Sequence, residues 1–305
     1  MKIQVLGTSS GRSTPERKTS GTVVSIGNRN IVIDPSSGTL ERFKEHNHKL
    51  KRVSHILVTH AHHDHFLGLF DFISEIGITN KQSLTLMIPE DLLDLVQTYM
   101  SVTEKNPKFY DFLELITFDD LCEDEILWSI NDHICLEFSP LKHGKTKSFA
   151  FTIYETKPRK LRINLLKEDN IPPIEYRKYI NDYKYTYKPK MNVYIHCGDN
   201  ESVEHLERIV NEHTVNNSRN VLVYHEATYT NDVYERLSKE GKTHGHLSIG
   251  EITKFWERFN DTQHTLILSH FSPRNNDFET IMSNVSKDVN PNNVHIAFDG
   301  FKIDF

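Results

Sequence analysis

The stretch HILVTHAHHDHFLGLF, residues 55–70, decides the fold. Its first five residues are a β-branched apolar run of the kind that forms a buried strand. An amphipathic pattern from Phe66 to Ile76 then reads as a helix. Between them, His60-Ala-His62-His63-Asp64-His65 places ligand-type side chains at the end of a strand, where a tight turn splays them in several directions. Imidazoles offer neutral nitrogens and Asp a hard oxygen. A single ion would not use four such groups so close together, so the hexapeptide can serve two adjacent ions.

Working outward, short β-branched runs recur at 3–6, 22–26, 30–34, 192–195, 221–224 and 265–268, and helical spacing is found at 202–211 and 248–259. Strands dominate the start and alternate with helices later. This predicts a layered α/β fold with sheet packed on sheet and helices outside. Further ligand types follow strands in the same way: His143 after ICLEFSPLK, Asp199 after NVYIHCG, and His270 after TLILS. A Gly before Asp199 lets the backbone turn tightly, which aims its carboxylate between two metals.

The chain has 305 residues, a net charge of −6 and 37% apolar residues, a soluble globular composition expected to form one domain over 1–305. No apolar stretch approaches the roughly 18 residues of a membrane span. MKIQVLGTSS reads directly as a strand and a turn, not as a leader. Cys122, Cys135 and Cys197 are scattered, which argues against a disulfide framework and fits a reducing cytoplasm. Histidine is the outlier, with 18 residues, and points to metal. The segment 155–190 carries ten Lys/Arg, five Asp/Glu and five of the twelve tyrosines. It reads as a short basic arm inserted between two core strands, while the rest of the chain sums to −11.

In chain order, HxHxDH, a lone His143, Gly198-Asp199, His225-Glu226-Ala227-Thr228, His246 and His270-Phe-Ser-Pro-Arg274 resemble the metallo-β-lactamase superfamily, specifically its RNase Z branch. The resemblance implies an αββα sandwich holding two zinc ions, with manganese as the alternative. His60, His62 and His143 would bind one ion, Asp64, His65 and His270 the other, and Asp199 would bridge. It also implies phosphodiester hydrolysis by a water activated between the ions and oriented by Asp64, with His246 donating a proton to the leaving oxygen and Glu226 holding its imidazole. Acid catalysis supports that pairing independently, because a carboxylate partner raises a histidine's pKa and fixes its tautomer. His244 is the competitor for the acid role, and the alternative placement has His246 capping the helix at 248–259 with Glu226 at the surface; His63, His205, His213 and His264 are expected to be solvated.

The handling of a large RNA looks reduced. Only 25 residues separate Pro173 from Asp199, too few for the long exosite with which RNase Z clamps tRNA. The same branch includes phage-associated anti-Pycsar enzymes, which resemble RNase Z without that exosite and open cyclic mononucleotides. In them a short element of one subunit covers the partner's site. A homodimer acting on a nucleotide phosphodiester is therefore expected, with Tyr183, Tyr185 and Tyr187 of the arm stacking on a base and Arg274 facing the phosphate. An RNase Z-type endonuclease cutting precursor tRNA, or a non-catalytic nucleic-acid binder, are the alternatives, since a +5 arm equally attracts an RNA backbone.

Overall fold

Neighbouring residues along the buried strands belong to different layers, and this sorting builds the molecule. The computed structural model describes residues 1–79, 82–118, 126–131, 133–156, 160–187, 190–214, 220–260, 262–274 and 277–305. Cys122, Lys157, Arg159 and Lys188 lie outside them.

One sheet runs in the order β16-β1-β2-β3-β4-β5-β6. Its strands are β1 (Lys2–Gly7), β2 (Gly21–Ile26), β3 (Arg29–Ile33), β4 (Val53–Leu57), β5 (Leu84–Ile88), β6 (Leu113–Thr117) and β16 (Lys302–Asp304). The other runs β15-β14-β13-β12-β9-β8-β7, from β7 (Ile126–Asn131), β8 (Ile134–His143), β9 (Thr146–Thr156), β12 (Lys190–Cys197), β13 (Val221–Glu226), β14 (Thr265–Ser269) and β15 (Val294–Ile296).

Between the sheets lie Val24, Ile31, Ile33 and Leu57 from the first and Leu136, Phe151, Tyr194, Leu222 and Ile267 from the second. Their strand neighbours face outward. Val23, Val32 and Ile56 pack on α1 (Thr39–Glu45), α3 (Leu69–Thr79) and α4 (Leu93–Thr103). Val193, Val223 and Leu266 pack on α6 (Glu204–Thr214) and α8 (Ile249–Trp256). A strand covered on both faces must be apolar at every position, which is why these runs do not alternate with polar residues. The result is the expected αββα sandwich.

Strand direction then places the site. β3 is parallel to β4, β12 to β13, and β13 to β14. β8 and β12 are both antiparallel to β9 and so run the same way. The carboxyl ends of β8, β12, β13 and β14 therefore share one edge of their sheet, the position where α/β folds build ligand sites.

Two sequence expectations need correction. The helix expected over 66–76 is two, α2 (His63–Phe66) and α3, because the chain turns at Gly68, where a Cβ would collide with the Ser36 carbonyl. His213 and His264, expected to be solvated, are buried. His213 Nε2 lies 3.2 Å from Glu137 Oε2, and His264 Nδ1 accepts from Val221 N–H at 3.2 Å. The expected start of α8 is found, with Ser248 as N-cap and Glu251 closing a capping box.

The arm connects β9 to β12, which are themselves paired, Thr156 opposite Lys190. It contains β10 (Lys160–Leu161), α5 (Ile163–Glu168), a 3-10 turn at Pro173–Tyr179 and β11 (Thr186–Tyr187), with β10 and β11 joined as a separate two-stranded ribbon. Cys135 and Cys197 are free and buried. No helix among the described residues is long and apolar enough to cross a membrane.

Candidate metal centre

The turn after β4 aims His60 and His62 at the last residue of β8, His143. His60 Nε2 and His62 Nδ1 are 3.0 Å apart, and His62 Nδ1 and His143 Nε2 are 3.2 Å apart. Two nitrogens bound at about 2.05 Å to one tetrahedral zinc would lie about 3.3 Å from each other, so the spacing fits a shared ion. The outer nitrogens are already held by protein groups. His60 Nδ1 lies 3.0 Å from Thr59 Oγ1, His143 Nδ1–H donates to the Gly245 carbonyl at 2.8 Å, and His62 Nε2 lies 3.2 Å from Thr146 Oγ1. Such contacts fix ring orientation and leave one nitrogen of each ring for a metal.

The second group comes from α2 and the end of β14. His65 Nε2 lies 3.2 Å from His270 Nε2, and Asp64 Oδ2 lies 3.4 Å from His270 Nε2. His270 holds φ at 59°, a left-handed value that a non-glycine residue keeps only when its surroundings enforce it. Asp199 Oδ2 stands between the groups, 3.6 Å from His60 Nε2, 3.4 Å from His65 Nε2 and 3.4 Å from His270 Nε2. Gly198 makes this approach possible, since a Cβ there would sit 2.7 Å from Thr59 Cβ and from Ser148 Oγ.

The electrostatics of the two groups differ. Burial, reinforced by the charge of His65, holds the His60 imidazole well below its ordinary pKa and therefore neutral. His65 goes the other way. Burial opposes its charge, but Asp199, Asp34 and Asp64 together hold it well above the usual range. A metal arriving at His65 must displace that proton.

A carboxylate network lies beside these candidate ligands. Glu226, the last residue of β13, is wholly buried. Its Oε2 accepts from Thr228 N–H at 3.1 Å and Thr228 Oγ–H at 2.6 Å, and its Oε1 from Leu247 N–H at 3.1 Å. His246 Nδ1 is 3.5 Å from Glu226 Oε1, which leaves Nε2 as the other proton-bearing atom. Burial is the largest single influence on His246 and lowers its pKa, but the charge and hydrogen bond of Glu226, with the charges of Asp199 and Asp64, together outweigh it, and the net result is a rise to about 9. Cations bound in the adjacent groups would push it back down. The alternative placement, with Glu226 at the surface and His246 capping α8, is not what is found: Ser248 supplies the cap.

Three contributors carry no sequence signal as strong as HxHxDH. Asp34, directly after β3, accepts from Thr59 N–H at 2.7 Å and contacts His65 Nδ1 at 2.9 Å, so it orients that candidate ligand from behind. An acid ending the buried run NIVI was its only sign. Thr228 Oγ1, besides donating to Glu226, lies 3.0 Å from His270 Nδ1, coupling that carboxylate to a ligand ring. Gly11 donates its N–H to Asp64 Oδ2 at 2.6 Å.

A cavity of about 440 Å³ opens beside Thr228 and Gly11, and both Arg274 and His244 line it. His244 is exposed there, whereas His246 contacts the carboxylates. The arm tyrosines behave differently from one another. Tyr183 is exposed, and Tyr187 is partly exposed with Arg162 over its ring at 5.9 Å. Tyr185 is buried: its hydroxyl donates to Asp169 at 2.6 Å and its ring meets Tyr179 edge-on at 5.0 Å. The expectation that Tyr185 stacks on a base is therefore corrected. A small insertion needs an apolar centre of its own, and Tyr185 supplies it.

The family model described as anti-Pycsar protein Apyc1 matches residues 1–163, more than half of the chain. The chain is 29% identical over 293 residues to a ribonuclease Z of Pseudomonas putida (strain GB-1), covering 90% of this chain and 85% of that one. Among solved structures it is similar to human tRNase Z, short form, at a TM-score of 0.65 and 20% identity, covering 100% and 99% of the two chains. It is also similar to the metallo-β-lactamase fold protein YhfI of Bacillus subtilis, at a TM-score of 0.65 and 15% identity, covering 99% and 98%. The fold is that of the metallo-β-lactamases.

Proposed function

Because the chain belongs to the anti-Pycsar protein Apyc1 family, a metallo-β-lactamase-fold group of phosphodiesterases, we propose that it opens cyclic mononucleotides at a dinuclear zinc site. The observation that carries this reading is Asp199 Oδ2, within 3.6 Å of ligand nitrogens from both histidine groups. His60, His62 and His143 would hold one ion and Asp64, His65 and His270 the other, with Asp199 shared and manganese as the alternative metal. Two divalent ions bound there would polarise the phosphoryl oxygens and lower the pKa of water between them.

The chain's own groups do the rest. Asp64, fixed by Gly11 N–H, orients the attacking water and receives its proton. As the new P–O bond forms, the bond to one ribose oxygen breaks, and that oxygen takes the proton from His246 Nε2. Glu226 keeps the imidazole charged and its Nδ1–H pointed inward until that transfer. The product is a linear nucleoside monophosphate.

A shared catalytic edge leaves the substrate to be set by access. The arm is short and folds on its own centre around Tyr185, which suits a cover for a small pocket, supplied by the partner subunit of a cytoplasmic homodimer, better than a clamp on tRNA. Trailer removal from precursor tRNA is the second reading, favoured by the likeness to ribonuclease Z and the basic arm. Zinc-loaded protein is given a panel of cyclic mononucleotides and a precursor tRNA, and products are separated by chromatography. Linear monophosphates with intact tRNA are expected. A single cut at the trailer junction with cyclic nucleotides untouched overturns the proposal.

A further inference from the structure

We infer that the cavity beside the metal ligands is a nucleoside subsite built within one chain, with Tyr229 as the platform for the base and Arg12 and Arg274 holding the anionic ester. It takes the phosphodiesterase activity above as given and specifies which part of the substrate the chain grips. The volume, about 440 Å³, is within the range of small-molecule sites. Thr228 and Gly11 line it and also bond Glu226 and Asp64, so the cavity adjoins the candidate metal centre and has room for the substituents of a phosphate held there.

Tyr229 is held at both backbone groups: its N–H donates to the Leu247 carbonyl at 3.1 Å and its carbonyl accepts from Ile249 N–H at 2.9 Å. Its ring stands edge-on to His246, with centroids 5.9 Å apart. A half-buried aromatic with a fixed backbone, next to the proposed acid, is a preformed stacking surface for the base of a nucleotide whose ribose oxygen takes the proton from His246. The two arginines project from segments stapled together, Ser10 N–H to the Phe271 carbonyl at 3.0 Å and Phe271 N–H to the Thr8 carbonyl at 2.8 Å. Arg12 and Arg274 are both exposed and line the cavity, and among the described residues neither guanidinium forms an ion pair with a carboxylate. That arrangement suits an anion arriving from solution.

The test uses zinc-loaded protein and its Tyr229→Ala, Tyr229→Phe and Arg12→Ala variants, each checked for unchanged circular dichroism and zinc content. Equilibrium binding of nucleoside 5′-monophosphates and of ribose 5-phosphate is measured beside steady-state opening of cyclic mononucleotides. Tyr229→Ala is expected to raise the nucleotide Kd and KM about tenfold, in the range of one lost base stack, with a smaller change in kcat and in ribose 5-phosphate binding. Tyr229→Phe keeps the stack and restores nucleotide binding. Arg12→Ala weakens both ligands. If wild-type protein opens cyclic nucleotides with a KM that Tyr229→Ala and Arg12→Ala leave unaltered, the subsite is wrong and the activity stands. If nucleotides bind in a Tyr229-dependent way and none is opened, the subsite stands and the substrate reading falls.

Discussion

Glu226 has no route to solvent, and its oxygens accept from Thr228 and Leu247 while facing His246. If His246 is the acid, it must be protonated to act, so kcat falls as pH rises through its pKa. Removing the charge by Glu226→Gln takes away what raises that pKa, and the alkaline limb of the kcat–pH profile moves to lower pH. A limb that stays in place or moves up would show that another group is titrating. His246→Ala is expected to lower kcat by about 10²–10⁴, the usual weight of a general acid, and to spare a substrate whose leaving group needs no proton. Thr228→Val keeps the shape and deletes the hydroxyl between Glu226 and His270. It should cost about 1.5–3 kcal/mol, read from the urea midpoint, because it takes a donor from a buried charge. Asp34→Asn should weaken zinc binding about 10- to 100-fold with little effect on folding, as for other groups that orient a ligand from behind.

At the scale of elements, the site depends on where strands end. Gly198 gives the chain room to pass Thr59 and Ser148 before Asp199, and Gly198→Ala must displace one of them. An added methyl in so tight a place costs about 1–3 kcal/mol, and the zinc-dependent part of the thermal stability should shrink further because Asp199 moves with it. Calorimetry with and without chelator separates the two losses. The candidate ligands that the structure brings together were legible in the sequence because each closes an apolar strand with a residue type that packing does not ask for. HxHxDH, His143, Asp199 and His270 all share that form. Asp34 shares it too, but a single acid before a proline also reads as an ordinary turn. Thr228 was legible only as a member of the motif His225–Thr228, without a role, and Gly11 gave no signal, since its backbone N–H acts through Asp64, distant in sequence. The split between α2 and α3 was hidden for the same reason: Gly68 breaks the helix because of the Ser36 carbonyl, a contact absent from local periodicity. Tyr185 failed oppositely, as composition shows that an arm is aromatic and not which ring the arm keeps for itself.

For the whole molecule, two sheets bring strand ends from opposite faces of a sandwich to one edge, and the cavity there is bordered by the loop after β1 and the residues after β14. Such a centre is assembled only by the complete fold, so metal binding and global stability should be linked: saturating zinc raises the unfolding temperature, and chelation lowers it in one cooperative transition. The exposed Tyr183 and the basic arm are expected to act through a partner subunit, so Tyr183→Ala should raise KM without lowering kcat, and a change in kcat alone would count against that use. The central claim, that the two histidine groups and Asp199 form one dinuclear phosphodiesterase site, is tested most directly by titrating metal-free protein with zinc while following cyclic mononucleotide opening. Activity should climb to a plateau at two equivalents per chain and be lost on chelation. A plateau at one equivalent, or opening that persists in the chelated protein, would contradict it.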